Sequence, residues 1–369
     1  MRILHLASPG LGGIEAYIFG HYKYMDREKF QFDMMTQNCG LRDAEEYREF
    51  PFQVKLLPTA AAGDPRGFDA RVREILSEGY DILHLHTCYW TGFRIEEIAK
   101  EIGVRRVIVH SHSTFIDEAE PEKREILFRR HEEVKRAFSP DLATDFCACS
   151  WKAADWLFGA QILREKIRIM KNAIDLERFH FDSHKREQMR KTLGLDGALV
   201  LGTVGRLSFQ KNHAFLLEVF QAFHRRHPES KLLIVGDGEL RGKLEAQICK
   251  SGLEDAVLLP GWRTNVEDYL QAMDGFLLPS RFEGLGIVIM EAAASGLPCI
   301  VSEYVPEEVE ISQNICRIPL KSSAWLNALE EMTCCPTDRQ AGAAYVRAAG
   351  YDIRRQAKVL EQLYEGRLD

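Results

Sequence analysis

Short apolar runs alternate with longer amphipathic segments along most of the chain. Runs that are apolar throughout are typical of parallel strands covered on both faces, and the segments between them have the length of helices. In the segment 212–227, for example, the apolar positions 215, 216, 219, 220 and 223 fall on one helical stripe. The runs occupy residues 2–7, 81–86, 107–112, 146–150, 167–170, 199–204, 231–235, 257–259, 275–278 and 299–302. The pattern predicts an α/β fold built on parallel sheets.

The runs form two sets, separated by a polar, charge-rich stretch at 175–197. A chain of 369 residues also exceeds the usual size of a single hydrophobic core. We therefore predict two doubly wound, Rossmann-like domains, at 1–172 and 173–352, with 175–197 as the region that links them. A final helical segment, 353–369, could pack on either domain and is grouped with the first.

Composition narrows the class of function. The 55 Asp and Glu residues outnumber the 48 Lys and Arg, and the net charge of −7 argues against nucleic acid as a partner. No apolar run reaches the ~18–20 residues that span a bilayer, and the first ten residues are too short and too strand-like for a signal peptide. The 9 cysteines lack a CxxC pair and zinc-ligand spacing. These features indicate reduced thiols in a cytosolic protein.

Ligands of open parallel sheets bind where strands end, so the loops after strands are the first places to search for a site. The loop PGLGGIE at 9–15 follows the first strand, and Gly12 and Gly13 permit close approach of a ligand. Its spacing is not GxGxxG, and no clear acidic partner for a ribose follows ~20 residues later. A phosphate contact and a simple turn both stay open for this loop.

Two permanent cations follow the strand at 199–204. Arg206 and Lys211 stand between that strand and the helical segment 212–227. A guanidinium binds a diphosphate bidentately and an ammonium binds it as a point charge. The alternative is a pair of solvated surface cations.

The loop and helix at 279–291 give the strongest signal. Glu283 precedes two glycines, and Glu291 interrupts the apolar helical run IVIMEAAA. A carboxylate in such a helix needs a partner, because burying it alone is costly. The N–H groups of Gly284, Leu285, Gly286 and Ile287 would cap an anion, while the two carboxylates would accept hydrogen bonds from ribose and sugar hydroxyls. The alternative is a helix with one exposed Glu.

Two histidines end the run at 107–112. His110 and His112 face the same side of the predicted strand, and His112 lies nearer its end. A sugar or phosphate contact, a structural role and a metal site all remain open, although no acidic cluster accompanies the pair. His84 and His86 are less well placed and are interpreted as structural.

Together these segments resemble retaining glycosyltransferases of family 4, which have the GT-B fold of two facing Rossmann-like domains with a cleft between them. The likeness is greatest to bacterial enzymes of capsular and exopolysaccharide synthesis. It runs through HLASPGLGGIEAY, YDILHLH, VIVHSHS, KNAIDLERF, TVGRLSFQKNH, LLIVGDGEL, LPGWRTNVEDYLQAMD and PSRFEGLGIVIMEAAASGLPCIVSE. The E-x7-E frame with the Arg and Lys pair is specific, whereas the Gly-Gly loop alone is not.

The resemblance implies roles for these positions. His112, Arg206, Lys211 and Glu283 would be catalytic: His112 lies beside the transferring sugar, the two cations hold the leaving diphosphate, and Glu283 contacts sugar hydroxyls. Glu15 and His112 would lie on the acceptor side, in the first domain, and Glu291 would accept the ribose hydroxyls. The remaining donor-binding positions would be Gly12, Gly13, Gly236, Trp262, Arg263, Thr264, Gly284, Leu285, Gly286 and Ile287.

The resemblance also implies substrates. The donor would be a nucleotide diphosphate sugar, a UDP-sugar, and the acceptor a hydroxyl of a glycan or of a polyprenyl-diphosphate-linked oligosaccharide. No cofactor or metal would be required, although a donor-bound Mg²⁺ stays open. The enzyme would be cytoplasmic, with the densely charged helix at 121–138 as a hypothetical peripheral contact with the inner face of the membrane. Asn265 and Glu303 depart from the family pattern, and Asn265 weakens the expectation for the base pocket.

Three other functions remain open. A UDP-sugar 2-epimerase shares the architecture and would convert the donor without an acceptor. A glycoside hydrolase would use Glu283 and Glu291 as an acid/base pair but has no use for the two cations. A catalytically silent binding subunit of a polysaccharide-synthesis complex would retain the fold without turnover.

Overall fold

A computed structural model describes residues 1–7, 12–38, 40–41, 48–58, 64–334 and 338–368. The chain divides into two compact units. The first comprises 1–116, 122–173 and 353–369, and the second comprises 117–121 and 174–352. No helix within the described ranges is long and apolar enough to cross a membrane.

The first unit is a parallel sheet of seven described strands in the order β3-β2-β1-β4-β5-β6-β7. Its strands are β1 (Arg2–Leu6), β2 (Gln31–Thr36), β3 (Val54–Leu56), β4 (Ile82–Thr87), β5 (Arg106–Ser111), β6 (Asp145–Ala148) and β7 (Ile167–Ile169). The helices between them are α1 (Gly13–Tyr24), α2 (Pro65–Leu76), α3 (Arg94–Ile102), α4 (Pro121–Ala137) and α5 (Trp151–Leu157). The order reverses between β1 and β4, so a ligand site is expected at the carboxyl ends of these two strands.

The second unit is a parallel sheet of six described strands in the order β10-β9-β8-β11-β12-β13. Its strands are β8 (Leu199–Val204), β9 (Ser230–Val235), β10 (Val257–Gly261), β11 (Gly275–Leu278), β12 (Cys299–Ser302) and β13 (Ile315–Ile318). Its helices are α6 (Leu176–Phe179), α7 (Ser183–Leu193), α8 (His213–His224), α9 (Arg241–Lys250), α10 (Val266–Ala272), α11 (Ile287–Ala294), α12 (Ser322–Cys334) and α13 (Gly342–Ala348). Here the reversal lies between β8 and β11.

The parallel α/β architecture predicted from the apolar runs is confirmed, because each run forms a strand, and all but β7 and β10 are mostly buried. Three strands carry no such run. In β2, Asp33 interrupts the apolar pattern; its carboxylate accepts hydrogen bonds from Tyr80 and from the backbone of Gln53. Strands β3 and β13 lie at sheet edges and are only partly buried, so their sequences are short and mixed.

The polar stretch 175–197 is not a linker, and that interpretation is wrong. It folds as α6 and α7 within the second unit. Arg186 and Arg190 on α7 both bind the carboxylate of Asp274, which also accepts from the backbone N–H of Val200 at 2.7 Å. The polar residues of this stretch therefore attach α7 to the β8 and β11 edge instead of facing only solvent.

The last helix, α14 (Ile353–Tyr364), belongs to the first unit. Leu360, Leu363 and Tyr364 are buried in the same apolar cluster as residues of α1 and β1. Arg106 on β5 donates to the carbonyl oxygens of Leu363 and Tyr364 at 2.5 and 3.0 Å. The helix is thus fixed to the sheet by packing and by a cation at its carboxyl end.

Candidate active site

In the second unit, Lys211 and Glu283 meet at the carboxyl ends of β8 and β11. The Lys211 ammonium lies 2.7 Å from the Glu283 carboxylate, and both side chains are largely buried. Ser280 Oγ donates to the same carboxylate at 2.6 Å and Gln210 Nε2 donates at 3.0 Å. Both oxygens of Glu283 are therefore bound within the protein itself, and the carboxylate fixes the position of Lys211.

Glycine positions allow these loops to approach one another. Gly286 has φ +84 and serves as the N-cap of α11, a conformation that side chains disfavour. A Cβ at Gly236 would lie only 2.0 Å from the carbonyl oxygen of Gly205, so the loops after β8 and β9 touch through their backbones. The first N–H groups of a helix lack carbonyl partners one turn earlier, and in α11 the N–H of Ile289 is the first to bond locally, to the carbonyl oxygen of Gly286 at 2.9 Å. The site thus combines an ammonium with a helix amino terminus.

Glu291 has a different environment from Glu283. Its carboxylate makes no hydrogen bond or ion pair to any other described residue, although the side chain is only partly exposed. Burial raises the pKa of Glu291 from 4.5 to about 7, with Glu267 acting in the same direction and with Arg178 and Lys211 opposing it. A carboxylate held in this way is costly to the fold and is open to donors from a ligand.

Arg178 is a site residue that the sequence reasoning did not single out. It lies on α6 and binds Glu267 at 2.7 Å and the carbonyl oxygen of Thr264 at 2.5 Å. Its charge also acts on Glu291. The only signal for it was its presence in the motif KNAIDLERF, in which no role was assigned.

The other expected donor-binding residues are less enclosed. Arg206 is exposed and pairs with the exposed Glu239 at 3.1 Å, so it is held less firmly than Lys211. Trp262 is also exposed, and Arg263 donates to the hydroxyl of Tyr269 at 2.9 Å. Asn265 donates to Asp268 in the first turn of α10. The structure brings Lys211, Glu283 and Glu291 to one edge and leaves Arg206 and Trp262 at its surface.

In the first unit, the described part of the glycine loop leads directly into α1. The backbone N–H of Gly12 donates to Glu15 at 3.0 Å, and Gly13 begins the helix. Glu15 is buried, and this burial raises its pKa to about 7. The predicted positions Pro9, Gly10 and Leu11 lie outside the described residues.

His112 follows β5 and is partly exposed, and its Nε2 lies 2.8 Å from Nδ1 of His86. His110, two residues earlier, is fully buried. Two groups of described histidines have ring nitrogens within 4.8 Å of one another and could share a metal ion: His5 with His84 and His86, and His86 with His110 and His112. His5 was not singled out in the sequence, since it lies 79 residues before its neighbour His84.

Comparisons with known proteins identify the family of this chain. Residues 11–178 match the family described as Glycosyltransferase Family 4, and residues 198–333 match Glycosyl transferases group 1. EpsF of Bacillus subtilis, a protein named as a glycosyltransferase, is 30% identical over 98% of this chain and 96% of its own. A galactosyltransferase of Escherichia coli, named for UDP-Gal and α-D-GlcNAc-diphosphoundecaprenol, is 27% identical over 90% of this chain and 85% of its own.

Solved structures identify the fold as GT-B. HepE of Anabaena in complex with UDP and glucose superposes with a TM-score of 0.76 at 21% identity, and 99% of each chain is covered. A glycosyltransferase of Rickettsia africae superposes with a TM-score of 0.79 at 14% identity, covering 100% of this chain and 98% of its own. Since the EpsF likeness extends over nearly the whole of both chains, this protein is a glycosyltransferase and belongs to glycosyltransferase family 4.

Proposed function

We propose that the protein transfers a sugar, with retention of anomeric configuration, from a UDP-sugar to a hydroxyl of a glycan or a polyprenyl-diphosphate-linked oligosaccharide. The observation that carries the proposal is the contrast between the two glutamates of the second unit. Glu283 is saturated by Lys211, Ser280 and Gln210, while Glu291 is partly buried with no partner among the described residues. A nucleotide whose ribose hydroxyls donate to Glu291 would supply the missing partner.

The diphosphate is assigned to Lys211 and the start of α11. Departure of the diphosphate builds negative charge on its oxygens, and fixed positive groups stabilise that charge without reorganising. Lys211 is held rigidly by Glu283 at 2.7 Å, so its ammonium is already in position. Arg206, which is more exposed, would join the diphosphate from the loop surface. One such donor is typically worth ~10²–10³ in rate.

Support for uridine comes from relatives. HepE, at 21% identity, has been solved with UDP and with UDP-glucose, and the name of the Escherichia coli relative states UDP-Gal as its donor. The names of that relative and of a Campylobacter jejuni relative also include diphosphoundecaprenol or diphospho-undecaprenol acceptors. The donor and acceptor classes proposed for this chain follow those names.

Retention is proposed through attack on the same face of the sugar from which the diphosphate leaves. A double displacement would need a carboxylate free to attack the anomeric carbon. Glu283 is the carboxylate in direct contact with Lys211, and its oxygens are already bound by an ammonium, a hydroxyl and an amide. No metal is required in this scheme, because Lys211 and the helix amides take the role of a cation.

A membrane contact is proposed for helix α4. Arg129 and Ile126 on this helix are both strongly exposed, a pairing of cation and apolar side chain that suits an anionic lipid surface. Vesicles of phosphatidylglycerol should sediment the protein, and Arg129→Glu with Arg130→Glu should abolish the effect. If the variant sedimented with the vesicles as the wild type does, the proposed cytoplasmic, membrane-peripheral location would be refuted.

The function is tested by measuring sugar transfer from UDP-sugars to a polyprenyl-diphosphate-linked acceptor. Thermal unfolding of the same protein samples is measured in parallel. We expect Lys211→Ala and Glu291→Ala to lose turnover while retaining a cooperative melt. Wild-type rates in both variants would refute the assignment of the site. Conversion of the sugar nucleotide without any acceptor would instead indicate an epimerase, and donor binding without turnover would indicate a binding subunit.

A further inference from the structure

The first unit contains a chain of three hydrogen-bonded histidines that ends at His112. His5 Nδ1 lies 3.0 Å from His86 Nε2, and His86 Nδ1 lies 2.8 Å from His112 Nε2. The three residues come from β1, β4 and the end of β5, which are neighbours in the sheet. The remaining nitrogen, Nδ1 of His112, has no hydrogen-bond partner among the described residues and belongs to a partly exposed side chain.

A second string runs beside this chain and is separate from it. The hydroxyl of Tyr364 lies 2.9 Å from His84 Nδ1, and His84 Nε2 lies 3.3 Å from His110 Nδ1. His84 is the register partner of His5, and His110 is the register partner of His86. The His84 ring stacks on the His86 ring at a centroid distance of 4.2 Å, and the two strings share no hydrogen bond among the described residues.

All three rings of the first chain are neutral. Burial lowers the pKa of His5 and His112 to about 3 and lowers that of His86 well below its usual value. A neutral imidazole has one N–H donor and one acceptor nitrogen. A ring that donates a hydrogen bond on one side must accept one on the other. The direction of donation at His5 therefore fixes the direction of donation at His112.

The buried end decides the direction. His5 Nε2 is fully buried and has no hydrogen-bond partner in the described structure. If hydrogen bonds ran from His112 to His5, this atom would carry an N–H without an acceptor. If they run from His5 to His112, it carries only a lone pair. Buried N–H groups without a partner are the rarer of the two in proteins, which favours donation from His5 to His86 and from His86 to His112.

We propose that His86 is a positioning residue that holds His112 as its Nδ1–H tautomer, so that His112 presents a hydrogen-bond donor at the carboxyl end of β5. The tautomer follows from the first unit alone. Its use, donation to an oxygen of the transferring sugar, rests on the proposed function. A donor at this position discriminates among sugars by the presence of a hydroxyl or carbonyl oxygen there.

The nitrogen distances also separate this arrangement from a metal site. Two imidazole ligands on tetrahedral zinc, at Zn–N distances of ~2.0–2.1 Å, would place their nitrogens roughly 3.3–3.4 Å apart. The two contacts in the chain are 3.0 and 2.8 Å, in the range of hydrogen bonds between nitrogens. The same histidines that lie close enough to share an ion are therefore better explained as donors and acceptors to one another.

The experiment is a long-range ¹H–¹⁵N correlation spectrum of the full chain labelled at histidine, in which the two tautomers give different nitrogen patterns. The His112 signals are assigned by their loss in His112→Gln. We expect the Nδ1–H pattern for His112 in the ligand-free protein. In His86→Phe, His112 Nε2 loses its donor, and we expect His112 to change to the Nε2–H pattern or to a mixture.

Two variants serve as controls. His84→Phe replaces an equally buried imidazole beside His5 with a ring that cannot form hydrogen bonds. It leaves the hydrogen bonds of the first chain intact, so the Nδ1–H pattern of His112 should persist. His86→Asn places an amide N–H near the position of His86 Nδ1 and should also preserve it. With an active sugar donor, kcat of His86→Phe should fall about five- to tenfold, as for loss of one hydrogen bond, and His86→Asn should recover most of it.

Four outcomes would overturn the proposal. They are an Nε2–H pattern in the wild type, an unchanged His112 pattern in His86→Phe, the same change in His84→Phe, and about one equivalent of a transition metal in protein purified without chelator. Failure to transfer any sugar would refute the proposed function and leave the tautomer result standing. A normal tautomer response with unchanged kcat would overturn the role of His112 as a sugar contact.

Discussion

Glu291→Gln should make the protein more stable while weakening donor binding. Burial raises the pKa of Glu291 from 4.5 to about 7, so the folded state prefers the protonated form. The free-energy cost to folding is complete above about pH 7, where the buried side chain must ionise. It decreases as the pH falls and disappears near 4.5, the ordinary pKa of a glutamate. At about 1.36 kcal/mol for each pKa unit, the raised pKa of Glu291 costs the folded state as much as about 3 kcal/mol at pH 8 and about 1.4 kcal/mol at pH 5.5. Equilibrium urea denaturation at both pH values measures the difference.

The same substitution should weaken binding of UDP-glucose. Ribose hydroxyls donate to the ionised carboxylate, so donor affinity of the wild type should rise as the pH increases through about 7. A diphosphate with both ends esterified lacks the second ionisation that a phosphate monoester has near pH 6, so the ligand adds no change of its own. Calorimetry near pH 7 should detect proton release on binding to the wild type, and Glu291→Gln should remove it.

Glu187→Gln is the matched control, because Glu187 is an exposed carboxylate on α7 of the same unit. It should change neither stability nor affinity. A Glu291→Gln protein that is less stable at pH 8, or that binds UDP-glucose as tightly as the wild type does, would refute the reasoning. A gain in stability that does not depend on pH would also contradict it, because ionisation is its stated source.

Three further predictions concern the second unit. Lys211→Met should lower kcat by ~10²-fold or more in an assay of sugar transfer. Lys243→Met, at an exposed position of α9, should leave kcat unchanged. Gly286→Ala forces an alanine to φ +84 and brings its Cβ 2.9 Å from Ile289; it should weaken UDP binding by calorimetry, whereas Gly242→Ala, with open space around it, should not. Asp274→Asn should lower the unfolding free energy by about 1.5–3 kcal/mol in urea, since two arginines and a backbone N–H bind that carboxylate, and should leave affinity for UDP intact.

The fold could be predicted wherever burial demanded a continuous apolar run. Strand β8, residues Leu199–Val204, is covered on both faces and was read correctly from its sequence alone. Strand β2 was missed because Asp33 lies within it, and its partners Tyr80 and Gln53 are remote in sequence. The stretch 175–197 was misinterpreted for a related reason, since its arginines bind a carboxylate some 80 residues away.

The location of the candidate site follows from a topological rule, but its internal contacts do not. Lys211, Glu283 and Glu291 stand after strands whose carboxyl ends must meet, so their proximity could be anticipated. That Glu283 is saturated while Glu291 is not depends on the side-chain geometry of Ser280 and Gln210, which no spacing encodes. The roles of these residues in donor binding remain predictions.

The first unit shows the same limit. The histidines at 110 and 112 were visible as a pair at a strand end, but His5 was not connected with them. Its place in the chain arises only because β1 lies beside β4 in the sheet order. A single buried histidine near an amino terminus carries no sequence signal for this partnership.

The central claim is that a uridine diphosphate group binds the second unit at Lys211, the start of α11 and Glu291. A crystal structure of the protein grown with UDP tests it most directly. The account predicts diphosphate oxygens within hydrogen-bond distance of Lys211 Nζ and of the first N–H groups of α11, with the ribose hydroxyls on the Glu291 carboxylate. Density for UDP at any other edge of either sheet, with Lys211 still bound only to Glu283, would contradict it.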